Sequence, residues 1–255
     1  MRRVYTVSDH EAKTAPAQVV VAVVLQVRGG NLHVLLWQRA LDPFSGAWAL
    51  PGGELAPGET LEQSIRRHLA AKVDVRELAH LEQLETRSAP DRNPLRWELA
   101  TAYLGLVPSD VEPTLPADTR WHRVDRLPRP LAFDHQAITL LARARLRGKL
   151  SYTNIGFALA PETFTISELR ELYRAALGHD VSATNLLRVL LRRQLLVATG
   201  DRRGPGPTGG RPAALYRFRL REMAITDQFA VLRPPSAGGE RAATRRGARA
   251  RRGTA

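Results

Sequence analysis

Residues 18–26, QVVVAVVLQ, are rich in β-branched side chains, and a second strand-like run, LHVLLWQ, follows Gly29-Gly30-Asn31. Two such runs joined by a glycine turn predict a β-hairpin. Beyond the turn-rich segment Pro51 to Gly58, apolar or small residues recur at Leu61, Ser64, Ile65, Leu69 and Val73, which predicts a helix over 59–73. Strands are expected around 78–86 and 95–107, then a proline-punctuated stretch over 111–130. This first unit reads as a mixed sheet with helices.

From 137 to 149 the pattern is helical again, and no long strand follows before Tyr216, which sets a boundary near residue 150. Thr165-Ile-Ser-Glu168 is a capping box, in which the threonine oxygen accepts a first-turn N–H while the glutamate reaches back. It opens a helix ending near Gly178, and Ser182 is the N-cap of a second helix through Gln194. A strand over 195–199, a glycine- and proline-rich loop over 200–211 and a returning strand over 214–219 complete the pattern. Helix, turn, helix and two-stranded ribbon is the order of a winged helix. The expected fold class is α+β, with an N-terminal arm (1–14), a mixed-sheet domain (15–150), a winged-helix domain (151–222) and a basic, disordered tail (223–255).

At 255 residues with 44% hydrophobic content, the chain is long enough for two modest domains, each with its own core. The formal net charge is +13; residues 240–255 hold six Arg and one Glu, so +5 belongs to the tail and +8 to the body. A basic body suits a polyanionic partner. Yet 35 of the 38 basic residues are Arg, a bias that genome composition also produces. The absence of Cys excludes disulfides, thiolate metal sites and thiol nucleophiles. The longest apolar run, Val19 to Leu25, is too short to span a bilayer, and the chain reads as a cytoplasmic protein with no membrane partner.

Gly53, Glu59, Arg67 and Leu69 fall at the spacing of the front half of the Nudix signature, and this segment resembles that family. The resemblance implies a loop-helix-loop that holds a divalent cation against a substrate diphosphate through acidic side chains on one helical face. The matching positions here are His68, Ala71 and Lys72, at i, i+3 and i+4. Magnesium needs oxygen ligands, mostly carboxylates. An imidazole, a methyl group and an ammonium leave the box degenerate, so the expectation is a non-enzyme with no metal site and no required cofactor. Glu59 remains, but in the family it pairs with the arginine matching Arg67, and Asp74 replaces the glycine that ends the motif's helix. Two readings of His68 and Lys72 stand: a solvated helix face, or Lys72 as a point-charge ligand to a bound diphosphate. Arg39 and Trp48 suit a phosphate contact and a base stack, or else a surface ion pair and core packing. The candidate effector-binding set is Arg39, Trp48, Gly52, Gly53, Glu59 and Lys72.

On the helix after Ser182, Leu186, Leu187, Leu190, Leu191 and Leu195 form an apolar side, while Asn185, Arg188 and Arg192 form a basic stripe. In the major groove Asn bonds adenine and Arg bonds guanine bidentately. The segment DRRGPGPTGGRP that follows has the length and charge of a wing on phosphate or a minor groove, or is a flexible surface loop. The candidate DNA contacts are Thr184, Asn185, Arg188, Arg192, Arg202, Arg203 and Arg211.

LAFDH (131–135), FTISEL (164–169) and GRPAALY (210–216) resemble the Nudix-related transcriptional regulator (NrtR) family over about residues 15–220. The resemblance implies a Nudix-like effector domain joined to a winged helix and a homodimer on a palindromic double-stranded DNA operator. It also implies repression of NAD synthesis or salvage genes and a response to ADP-ribose or a related NAD-derived nucleotide. The LAFDH segment then lies at the junction and couples the two domains, with His135 a structural hydrogen-bonding residue. The competing expectations are an active Nudix pyrophosphatase acting on ADP-ribose or another nucleoside diphosphate derivative, and a non-catalytic RNA-binding protein.

Overall fold

The computed structural model describes residues 15–204 and 212–227. β1 (Ala17–Arg28) and β2 (Asn31–Gln38) form the expected hairpin, with Leu25 opposite Val34. β1 is the centre of a seven-stranded sheet, with β6 (Glu98–Leu106) parallel on its far side and β5 (His80–Arg87) beyond. β3 (Trp48–Ala49) pairs with β2, and β4 (Gly52–Glu54) pairs antiparallel with β1.

The unbroken apolar run of β1 has a physical cause: both faces of the strand are covered, and successive side chains alternate between them. Val20, Ala22 and Val24 share a core with Ile65, Leu69 and Val73 of α1 (Leu61–Val73). Val21, Val23 and Leu25 share the other with Ile138, Ala142 and Leu146 of α2 (His135–Tyr152). Gln26 is buried in the same strand and is satisfied by donating through Nε2 to the Pro108 and Val111 carbonyls at 2.7 and 2.6 Å.

After a 3₁₀ turn (Ile155–Ala158), the second unit holds β8 (Phe164–Thr165), α3 (Ile166–Leu177), α4 (Ala183–Arg192), β9 (Leu196–Arg203) and β10 (Ala213–Phe218). Its three strands lie in the order β8-β10-β9. Phe164, Leu169, Leu186, Leu190 and Phe218 join the core on the α2 side of the large sheet, so one apolar cluster runs through both units. No helix among the described residues is long and apolar enough to cross a membrane.

Several details depart from the sequence reading. The proline-punctuated stretch contains a strand, β7 (Thr119–Arg123), paired antiparallel with β2; its TRWHR carries no apolar alternation because only Thr119 is buried. α2 passes the expected boundary and ends at Tyr152, so one helix serves both units. β9 continues to Arg203, opposite Ala213, and replaces the first part of the expected wing loop by ladder. Residues 223–227, expected to begin a disordered tail, are instead held by the end of α2 and the residues just after it: Ala224 N donates to Asn154 Oδ1 at 2.7 Å and Thr226 N to Tyr152 O at 2.9 Å. The arm over 1–14, the wing tip over 205–211 with Arg211, and the tail over 228–255 lie outside the described residues.

Candidate effector cavity and nucleic-acid interface

A cavity of about 640 Å³ opens between β1, β4, α1 and the loops that carry Arg39 and Arg92, within the roughly 300–1,000 Å³ of small-molecule sites. Its wall is built on backbone. Gly52 and Gly53 pair with Val21 and Val20. A Cβ on Gly52 would stand 2.8 Å from Val21 Cα, and one on Gly53 would enter the His68 imidazole, so close approach demands glycine at both. α1 faces this wall, opened by a Thr60–Gln63 capping box and closed by Asp74, which takes the left-handed C-cap conformation at φ 50° in place of the motif's glycine.

α1 turns His68 and Lys72 into the cavity and leaves Ala71 exposed. His68 is buried, with Nε2 2.9 Å from Glu54 O. Lys72 Nζ donates to Gly52 O at 2.7 Å and lies 4.7 Å from the centre of the Trp37 ring. The solvated-face reading of these two residues is therefore corrected: packing of the Ile65–Leu69–Val73 stripe on β1 carries its neighbours 68 and 72 inward. Burial first, then the charges of Arg39 and Arg67, lower the Lys72 pKa.

Arg39 donates to Pro43 O at 2.9 Å and stacks 4.9 Å from the Phe133 ring centre. Arg92 lies 5.0 Å from the same ring, donates through Nε to Asp134 Oδ1 at 2.9 Å, and through Nη1 to Glu98. His135, the first residue of α2, is buried, and its Nδ1 lies 3.0 Å from the Leu50 amide nitrogen.

Two members of the expected effector set stand apart from the cavity lining. Both carboxylate oxygens of Glu59 accept from Arg67 at 2.7 Å, and these hydrogen bonds hold its pKa down to about 2. Trp48 meets His122 edge-on at 4.4 Å and packs against the α2-side core, so its expected base-stacking place is corrected to core packing. The rings that line the cavity are Trp37 and Phe133. Among the described residues, no cluster of three or more His, Cys, Asp or Glu is placed to hold a metal ion.

On the second unit, α4 buries Leu186 and Leu190 and exposes Thr184, Asn185, Arg188 and Arg192. The Ser182 side chain caps it by accepting from Asn185 N at 3.4 Å. Asn185 Oδ1 accepts from Arg188 Nη2 at 2.8 Å, which joins the two polar heads in one exposed patch. Leu191 is 45% exposed rather than part of the apolar side, because the helix is only ten residues long and buries a stripe through 186 and 190. Arg202 and Arg203 are exposed on β9, and Arg203 is tied to Glu168, the capping-box carboxylate.

Residues 156–218 match the NrtR DNA-binding winged helix domain, and residues 16–143 the NUDIX domain. The ADPR responsive transcriptional repressor NtrR of Acinetobacter baylyi is 30% identical over 226 residues, spanning 86% of this chain and 87% of the relative. The chain belongs to the NrtR family. Shewanella oneidensis NrtR, solved in complex with a 27mer DNA, is 35% identical with a TM-score of 0.70, over 79% of this chain and 93% of that one. The NUDIX domain of that protein, solved with ADP ribose, is 36% identical with a TM-score of 0.50, over 55% of this chain and 94% of that one.

In this NrtR chain the cavity gathers Arg39, Gly52, Gly53 and Lys72 of the expected set, together with Trp37, Arg92, Phe133 and His135. Arg92 sits in the β5–β6 loop, a polar segment without periodicity, and nothing local marks it. Only the folding of that loop over the start of α2 delivers it to the site. Phe133 and His135 lie in the LAFDH segment, whose resemblance was the one available signal.

Proposed function

We propose that this NrtR-family chain is a repressor of NAD-metabolism genes that binds a palindromic operator as a homodimer and senses ADP-ribose or a related NAD-derived nucleotide. In this reading residues 15–150 form the effector domain, which does not hydrolyse its ligand, and residues 151–222 form the DNA reader. The observation that carries it is the Lys72 ammonium on the cavity wall, bonded to a neutral carbonyl and set beside Arg39. Its charge has no carboxylate partner among the described residues, which suits a diphosphate.

A magnesium ion does not fit the same place. His68 Nε2 is engaged by Glu54 O, Lys72 brings positive charge, and both Glu59 oxygens are taken by Arg67. A hard cation needs several free oxygen ligands. No hydrolytic step is assigned to these residues. On the reader, the exposed Asn185–Arg188 patch has the donors and acceptors that distinguish base pairs in the major groove. α2 supports coupling, since His135 lies in the cavity while its last turns hold Arg193 of the second unit through Ser151 O at 2.7 Å.

Calorimetric titration of the full chain with ADP-ribose, with and without EDTA, tests this reading. Affinity is expected to be unchanged by EDTA, to fall about tenfold or more in Lys72→Ala, the worth of one charge-assisted hydrogen bond, and to be accompanied by no AMP release. Metal-dependent AMP release that disappears in Glu59→Gln would return the chain to the hydrolases. A preference for single-stranded RNA over a palindromic duplex would overturn the operator reading.

A further inference from the structure

Arg92 and His135 reach the cavity from distant parts of the chain, and each brings a buried donor that nothing among the described residues satisfies. The Arg92 side chain is 2% exposed; Nε and Nη1 are bound to Asp134 and Glu98, while Nη2 is buried without a hydrogen-bond partner among the described residues. His135 Nδ1 faces the Leu50 backbone N–H at 3.0 Å, and a backbone nitrogen only donates. Nδ1 is therefore the acceptor, and in the neutral ring the proton sits on Nε2. Burial first, then the charges of Arg92 and Arg39, hold the His135 pKa well below its ordinary value, which keeps the ring neutral. Nε2 is also buried without a partner among the described residues. An unmade buried hydrogen bond is costly, and two in one cavity mark a place where an acceptor is wanted.

We propose that Arg92 Nη2 and His135 Nε2 form a donor pair that recognises an uncharged acceptor of the bound nucleotide, a hydroxyl oxygen or a ring nitrogen, and so sets which nucleotides the protein answers to. The inference rests on the cavity being the effector site. The choice of an uncharged acceptor follows from the local charges. Arg92 is matched by Glu98 and Asp134, and His135 is neutral. Lys72 and Arg39, by contrast, are hydrogen-bonded to neutral backbone carbonyls rather than to carboxylates. A diphosphate suits Lys72 and Arg39, and an uncharged group of the same ligand suits the donor pair.

Two substitutions separate recognition from mere packing. His135→Asn keeps an acceptor near Nδ1 for the Leu50 amide and removes the Nε2 donor, whereas His135→Gln returns an amide N–H near Nε2. With the full chain titrated against ADP-ribose, His135→Asn is expected to weaken binding about tenfold, and His135→Gln to recover most of the loss. Titration with ADP identifies the acceptor. An ADP affinity unaffected by His135→Asn assigns the acceptor to the terminal ribose, and a parallel loss assigns it to the base or the first ribose. Weakening by Gln with little effect of Asn would mean that the ring acts only through Leu50, equal weakening by both would mean that it acts only by packing, and in either case the proposal falls. Should His135→Asn unfold, Arg92→Lys serves instead, because it keeps the charge for Glu98 and Asp134 but loses Nη2; unchanged affinity there also overturns the pair. Failure of the wild-type chain to bind ADP-ribose or ADP would defeat the effector reading and this inference with it. Binding that ignores both variants defeats the donor pair alone.

Discussion

Gly53 and His68 meet so closely that a single methyl group would disturb the cavity wall. Gly53→Ala is expected to destabilise the fold by about 1–3 kcal/mol through overpacking, and the cost should shrink when His68→Ala makes room, a coupling that a double-mutant cycle of urea melts measures. Histidine burial also sets a pH response. His68, His122 and His135 all have pKa values pushed below 6.5, with burial the largest cause. Such rings bind protons more readily in the unfolded chain. Their contribution is therefore complete above the unfolded value and is lost as pH falls from about 6.5 toward the folded pKa. For His135 the slope reaches at most about 1.4 kcal/mol per pH unit. Glu59 adds nothing in that window, because its pKa lies near 2. Thermal melts between about pH 8 and pH 5 should show Tm falling with acidification, less steeply in His135→Asn. Equal slopes in the two proteins would deny His135 this role.

At the scale of elements, the helix starts show how local chemistry holds distant parts. Thr165 Oγ1 accepts from Glu168 N at 3.3 Å, Glu168 Oε2 accepts from Thr165 N at 2.7 Å, and the other Glu168 oxygen is tied to Arg203 on β9. Thr165→Ala is expected to cost about 0.5–2 kcal/mol as a lost cap, read as a shift in denaturation midpoint. The Arg203 contact lies on the surface, and its loss in Arg203→Ala should change stability by less than about 1 kcal/mol. These caps, the β1–β2 hairpin and the stripes of α1 and α4 were all legible as short-range patterns. β7 was not. Its five residues are recruited as an edge partner by β2, and their own composition does not ask for a strand.

For the whole molecule, an effector controls DNA affinity only by binding the DNA-competent and incompetent forms unequally. Saturating operator DNA should therefore change ADP-ribose affinity by the same factor that ADP-ribose changes operator affinity. Calorimetry of the protein with and without operator checks this, and identical ligand affinities would remove allosteric control by that compound. Arg188→Ala is expected to cost about 1–3 kcal/mol of operator discrimination, while Arg202→Ala should lower the slope of log affinity against log salt by about 1. Undiminished specific affinity in Arg188→Ala would move the recognition surface away from α4.

By itself the sequence determined what short-range patterns carry: the apolar runs, the caps, the placing of His68, Ala71 and Lys72 on one helical face, and the basic outer stripe of α4. Tertiary structure decided which of those side chains meet. The cavity assembles positions 39, 52, 72, 92 and 135 from a strand end, a strand, a helix, a loop and a second helix. Their convergence depends on the register of β4 against β1 and on the two helices covering opposite faces of one strand. The same long-range packing turned Trp48 onto the core, carried His68 and Lys72 inward, and ran α2 unbroken from the cavity to the second unit. Periodicity reports which face of an element is buried, and only the completed sheet specifies what lies against it.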